Sequence, residues 1–195
     1  MTTRIIIAAV LGGIAMFVWT AIAHMALPLG EAGIGEIPND EALMTLLQAS
    51  AGTKTGLYIF PGMGLGPDAT HAQRHAAMKD YEAKLEKNPS GLLMYHPAGS
   101  RPITMPKFLT IEFVTELLEA FLVVALLAQT NIVTFGGRVG FVTAAGILAA
   151  IATNVSYWNW WGFPTVYTAS YMFIEIVGFF CIGLVAALVF RKSAT

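Results

Sequence analysis

Residues 108–128 of the chain read FLTIEFVTELLEAFLVVALLA, an apolar run that is interrupted by Glu112, Glu116 and Glu119. A helix of this length rises about 1.5 Å per residue and crosses roughly 30 Å, the thickness of the hydrocarbon core of a bilayer. Spacings of four and then three residues place the glutamates on one helical face. The segment therefore predicts a membrane-spanning helix with an acidic face.

Three other apolar stretches are long enough to cross a bilayer, residues 5–25, 139–157 and 169–190. The composition agrees, because 56% of the 195 residues are hydrophobic and only 12% are charged, against about 25% charged in soluble domains. Residues 5–25 are expected to be retained as a span, since their apolar run exceeds the core of a usual signal peptide. The sequence therefore predicts an all-α integral membrane protein with four transmembrane helices.

Basic residues in the short flanks predict the orientation of the chain. Arg4 precedes the first span, Arg138 separates the second from the third, and Arg191 with Lys192 follows the fourth. Cytoplasmic loops carry an excess of Lys and Arg. We therefore expect both termini in the cytoplasm and residues 26–107 outside it, together with an aromatic loop at 158–168. A bacterial inner membrane is the simplest location for such a compact multi-pass chain.

Residues 26–107 predict a small mixed cap between the first and second spans. Short helices are expected over residues 41–48 and 69–87, the second of them opened by Pro67 and Asp68. The Gly- and Pro-rich residues 56–66 predict a strand or loop, and residues 92–95 a short strand that can pair with it.

Carboxylates within the spans are the main functional clue. Glu175 interrupts the last apolar run, and no Lys or Arg lies at a comparable depth in any span. Glu112, Glu116 and Glu175 should lie near His24, which closes the outer end of the first span, with Glu119 deeper in the membrane. Carboxylates with an imidazole can hold a divalent cation or pass protons. Alternatively, the acids are hydrogen-bonded to Thr, Asn154, Tyr or backbone groups, or paired with a basic residue of another chain.

Two histidines of the predicted cap form a second candidate site. His71 and His75 are four residues apart, which lets two imidazoles on one helix share a metal ion. The alternative is an exposed polar face without a ligand. Ala72 stands where a His-Glu-x-x-His motif needs its glutamate, which argues against zinc peptidase chemistry. The cofactor stays open, with a divalent metal as the candidate.

Aromatic residues concentrate between the third and fourth spans, where residues 157–167 read YWNWWGFPTVY. Tryptophan favours the headgroup layer, so an interfacial belt is the plainer interpretation of Trp158, Trp160 and Trp161. The alternative is that these rings and Phe163 form a wall that binds a lipid or quinone.

Small residues predict close helix contacts, since Gly and Ala fill much of the third span and Gly12 and Gly13 lie in the first. The net charge of -1, without a basic stripe, argues against nucleic-acid binding. A single histidine near a span argues against an internal bis-histidine haem.

Three functions fit these observations. We favour a non-catalytic accessory or assembly subunit of a larger inner-membrane complex, whose partners are membrane lipids and other subunits or further copies of the chain. The second hypothesis is a membrane enzyme or a cation- or proton-handling protein that uses the Glu and His cluster. The third is a lipid or quinone binder.

Overall fold

The computed structural model describes residues 2–191, and most of this range is helical. It contains six α-helices, namely α1 (Thr2–Met25), α2 (Asp40–Ala51), α3 (His71–Lys87), α4 (Met105–Ala128), α5 (Phe135–Trp161) and α6 (Thr165–Val189). Strands β1 (Gly56–Phe60) and β2 (Gly91–Tyr95) pair antiparallel. The chain divides into two compact units, one made of Glu36–Ile103 and the other of the residues up to Gly35 and from Thr104 onward. Lys192 of the predicted cytoplasmic flank lies outside the described residues.

Three helices within residues 2–191 are long and apolar enough to span a membrane, and they are Thr3–Met25, Phe135–Trp161 and Thr165–Val189. The chain therefore has the character of a membrane protein. α4 is a continuous helix of 24 residues, but it carries Lys107 and three glutamates, and it is not among those three helices. Its role as a fourth span stays a prediction.

The helices of the first unit share an apolar core that is concentrated at one end. α1 packs against both α4 and α6, and α5 packs against α6. The buried cluster draws on the first part of α1, the second half of α4, the start of α5 and the second half of α6; its members are Ala8, Ala9, Met16, Ala120, Val123, Val124, Leu127, Val142, Phe179, Ile182 and Ala186. Because these helices are antiparallel neighbours, the core lies towards the end at which α1 begins.

Small residues permit the close helix approaches that the sequence predicted. A Cβ atom added to Gly13 of α1 would lie 2.8 Å from Leu117 Cδ2 of α4. At Gly146 of α5, an added Cβ would collide with the Phe179 side chain of α6. Backbones can approach this closely only where side-chain bulk is missing.

The connection between α5 and α6 is shorter than predicted. α5 continues to Trp161 and ends at Gly162, which has a left-handed φ of 68°. Residues 162–164 alone separate the two helices. The expected aromatic loop over 158–168 was therefore too long, because the tryptophans continue the helix and only the glycine stops it.

The second unit is built from α2, α3 and the β1–β2 hairpin. Gly56 lies opposite Tyr95 and Phe60 opposite Gly91, so the suggested strand pairing is confirmed. The Tyr95 hydroxyl donates a hydrogen bond of 3.0 Å to the Gly52 carbonyl. The start of α3 differs from the prediction.

Thr70 is the N-terminal cap of α3. Its side chain accepts from the Gln73 backbone, and the Gln73 side chain accepts from the Thr70 backbone, which completes a capping box. Pro67 and Asp68 precede the helix without opening it.

Candidate functional site

Glu116 is the one buried acidic residue in residues 2–191, with 2% of its surface exposed. It lies on the face of α4 that packs against α1. The Thr20 side chain of α1 lies beside the Glu116 carboxyl, within the range of a side-chain hydrogen bond. By contrast, Glu116 Oε2 is buried and has no hydrogen-bond partner in the described part of the chain. A buried acceptor without a partner costs about 1–3 kcal/mol, so this oxygen favours any proton or ligand that can reach it.

The other glutamates lie in the same electrostatic neighbourhood. Glu119, one turn further along α4, is half-buried. Its carboxylate is repelled by the carboxylates of Glu175 on α6 and of Glu112. The carboxylate of Glu116 is in turn repelled by those of Glu112 and Glu119. Glu112 itself is exposed. The structure thus brings the four predicted glutamates into one region, where the charges of their carboxylates repel one another.

Glu175, unlike Glu116, has neutral partners on a neighbouring helix. Its Oε2 atom accepts hydrogen bonds of 3.3 Å from Thr153 Oγ1 and 3.3 Å from Asn154 Nδ2, both on α5. Asn154 Nδ2 also lies 2.8 Å from Thr153 Oγ1 and 3.0 Å from the Ala150 carbonyl. These bonds connect a carboxyl of α6 to the second half of α5.

His24 lies beside this region without contacting a glutamate through any hydrogen bond found in residues 2–191. Its Nδ1 atom is 2.9 Å from the Thr20 carbonyl, one turn earlier on α1. Its ring packs edge-on against Tyr171 with centroids 6.0 Å apart, and Tyr171 is within electrostatic range of Glu112. Thr20 therefore lies beside both the imidazole and the Glu116 carboxyl, and Tyr171 packs against the imidazole.

The sequence predicted threonine and Asn154 as partners of the acids, but it did not identify which threonines. Thr20 holds the Glu116 carboxyl and Thr153 holds that of Glu175. A single threonine in an apolar helix commonly bonds its own preceding turn, so neither residue stood out. The one available signal was the position of Thr20 about one turn before His24.

The candidate metal ligands do not converge. Within residues 2–191, no group of at least three His, Cys, Asp or Glu side chains is arranged to hold a metal ion. The glutamates of α4 follow one another along the helix axis. His71 and His75 are both exposed in the first half of α3. A metal at that pair stays a prediction.

The aromatic residues separate into two groups. Trp158, Trp160 and Trp161 are exposed on the last turns of α5, and Trp158 Nε1 donates a hydrogen bond of 3.1 Å to Thr165 Oγ1. Phe163 instead packs between Tyr157 and Tyr167, with centroid distances of 5.5 Å to each. A shared lipid or quinone site for all four residues stays a prediction.

Comparisons of the chain with protein-family models, with curated proteins and with solved structures gave no match. The residues of the site are therefore the evidence for its chemistry. Buried and half-buried carboxyls with hydroxyl and amide neighbours, on helices of a membrane protein, are suited to exchanging protons or cations.

Proposed function

We propose that the protein is a multi-pass membrane protein that handles protons through the carboxyls of Glu116, Glu119 and Glu175. The observation that carries this proposal is the buried Oε2 atom of Glu116, which has no partner in residues 2–191. Ionisable side chains inside membrane proteins are costly and typically mark ion or proton pathways. A carboxyl that served only for packing would have both oxygens satisfied, as buried polar groups usually do.

Proton exchange fits the spacing of the acids better than metal binding. Successive glutamates of α4 are separated by roughly 6 Å and 4.5 Å along the helix axis at 1.5 Å per residue. Glu175 of α6 is close enough to Glu119 for the two carboxylates to repel each other. Such spacings suit stepwise transfer through intervening hydroxyls or water, whereas a divalent cation requires several ligand atoms at about 2–2.6 Å.

The proposal includes a membrane orientation in which α4 is a fourth span. Its glutamates are offset by exposed apolar side chains, including Leu118 and Leu122, that would face lipid. The positive-inside rule applied to Arg4 and Arg138 supports cytoplasmic termini. Glu36–Ile103 would then be extracytoplasmic, and a bacterial inner membrane would be the location.

Proton flux into liposomes tests the proposal. The full chain is reconstituted with an enclosed pH-sensitive dye, and a potassium gradient with valinomycin sets the potential. We expect flux above that of empty liposomes, and we expect Glu116→Gln to abolish it, since the amide keeps the shape but carries no exchangeable acid proton. Glu86→Gln, exposed on α3, is the matched control. Wild-type flux equal to that of empty liposomes, or full flux in Glu116→Gln, contradicts the proposal.

A second candidate function, the accessory subunit, is favoured by the surface of α5. Gly136, Gly140 and Ala144 recur every four residues along an open groove of about 550 Å³. Nothing lies within 4 Å of a Cβ atom added to Gly136 or Gly140. Small residues at this spacing are typical of faces on which membrane helices meet.

Purification in mild detergent, with the mass of the native particle, tests this second candidate. A stoichiometric partner or second copy should be lost in Gly140→Ile, which fills the groove. It should be retained in Leu148→Ala, which changes another exposed position of α5. A lone chain in both the wild type and Gly140→Ile excludes it.

A further inference from the structure

Two arginines line a cleft at the end of the first unit where α1 begins and α4 ends. The cleft has a volume of about 240 Å³, and its polar lining includes Arg4 of α1, Arg138 of α5 and Thr130. Apolar lining comes from Phe190 and from neighbouring residues of α1 and α4. We propose that this cleft binds the phosphate group of an anionic phospholipid.

Arg138 is held in position for such a ligand. Its Nε atom donates a hydrogen bond of 3.1 Å to the Ile132 carbonyl, and its guanidinium lies 5.7 Å from the centroid of the Phe190 ring. In the described chain neither Nη group of Arg138 has a hydrogen-bond acceptor. A fixed planar guanidinium with free N–H groups matches the oxygens of a phosphate, which it can bind in a bidentate manner.

No acidic side chain is found in the lining of the cleft among residues 2–191. Arg4 is exposed and makes no hydrogen bond or ion pair within residues 2–191. The first turns of α1 and α5, where the helix dipole is positive, contain no acidic residue. The sequence has no Asp or Glu before Glu31, between Glu119 and Glu175, or after Glu175. An external anion is therefore the available partner for these arginines.

The rest of the lining favours a lipid over a free anion. Beside the arginines the cleft is bordered by Ile5, Leu127 and Ala128, which present apolar surface to the same space. A phospholipid carries a phosphodiester next to its glycerol and acyl groups, so one ligand satisfies both sides. Basic pockets between membrane helices bind lipid headgroups in this way. Placing the site in the cytoplasmic leaflet rests on the proposed orientation, whereas the chemistry of the cleft does not.

Binding of three probes to the purified, delipidated full chain tests the proposal. The probes are phosphatidylglycerol, phosphatidylcholine and inorganic phosphate, and native mass spectrometry measures the bound lipid. We expect selective retention of phosphatidylglycerol. Its affinity should fall about fivefold in Arg4→Gln, and further in Arg4→Gln/Arg138→Gln, because each arginine near a membrane surface contributes about that factor. Lys107→Gln, at the other end of α4, is the matched control and should bind as the wild type does.

Arg4→Gln keeps the test decisive even if loss of Arg138 prevents folding, since Arg4 makes no hydrogen bond in the described chain. Equal binding of phosphatidylglycerol by the wild type and Arg4→Gln overturns the proposal. Equal retention of phosphatidylcholine and phosphatidylglycerol does so as well. Complete displacement of the lipid by millimolar inorganic phosphate would identify a soluble anion as the ligand and overturn the assignment to a lipid.

Discussion

The Thr20 side chain on α1 lies within hydrogen-bonding range of the Glu116 carboxyl on α4, and Oε2 of that carboxyl has no partner in residues 2–191. The carbonyl of Thr20 lies 2.9 Å from His24 Nδ1. One threonine thus contacts both the buried acid and the histidine at the end of α1. The packing of α1 on α4 and the environment of Glu116 therefore depend on each other.

Thr20→Val should destabilise the protein by about 1–2 kcal/mol, because it removes a donor from a buried carboxyl and keeps the volume of the side chain. Unfolding by SDS in mixed micelles, followed by circular dichroism, measures the change. Thr115→Val on α4 is the control, since its hydroxyl bonds only to the Ile111 carbonyl of its own helix at 2.9 Å. Equal stability of the two variants would show that the contact between Thr20 and Glu116 contributes nothing.

Asn154→Ala should lower stability by about 1 kcal/mol, because Glu175 loses one of its two side-chain donors. The same unfolding measurement applies. Asn159→Ala, in the exposed last turns of α5, is expected to lie within about 0.5 kcal/mol of the wild type, as surface substitutions generally do. A loss of the same size in both variants would show that the hydrogen bond from Asn154 to Glu175 makes no specific contribution.

Gly146→Ala and Gly140→Ala should have opposite effects. An added Cβ at position 146 collides with Phe179, and overpacking of this kind costs about 1–3 kcal/mol. At position 140 the space is open, and alanine gains up to about 1 kcal/mol of helix propensity over glycine. Thermal unfolding in detergent compares the two variants. Destabilisation of the same size at both positions is incompatible with the packing of α5 on α6.

Cysteine labelling should reveal the predicted orientation. In a Cys181→Ala background, Ser90→Cys in the second unit should react with a membrane-impermeant maleimide added to spheroplasts. Asn131→Cys, between α4 and α5, should react only after the membrane is permeabilised, because α4 would carry it across. Reaction of both variants before permeabilisation would show that α4 does not span the membrane.

The long helices could be predicted from the sequence because each coincides with an apolar run, and turn signals located the hairpin. Helix ends were less accessible. Trp158, Trp160 and Trp161 fit an interface as well inside a helix as in a loop, so only the left-handed Gly162 marks the true end. Likewise, the boundary of α3 depends on the reciprocal bonds of Thr70 and Gln73, which a nearby Pro-Asp pair obscured.

The sequence predicted which residues share one face of α4, but it did not predict what surrounds that face. Spacing alone put Glu112, Glu116 and Glu119 on one side of α4. Periodicity cannot tell whether that side meets another helix of the same chain, lipid or a partner protein. The close approach of Gly13 to Leu117, which brings α1 against Glu116, is a tertiary contact that no local pattern encodes.

The uneven distribution of the apolar core should give the two ends of the helix bundle different local stabilities. The buried cluster, with Ala9, Val124 and Ile182, lies near the arginines, whereas fewer apolar side chains, among them Ala23 and Ile174, are buried towards the opposite end. Regions with few buried contacts open at a lower free energy than the rest of a fold. We therefore expect backbone amides of these helices to exchange with deuterium more slowly at the arginine end than at the opposite end.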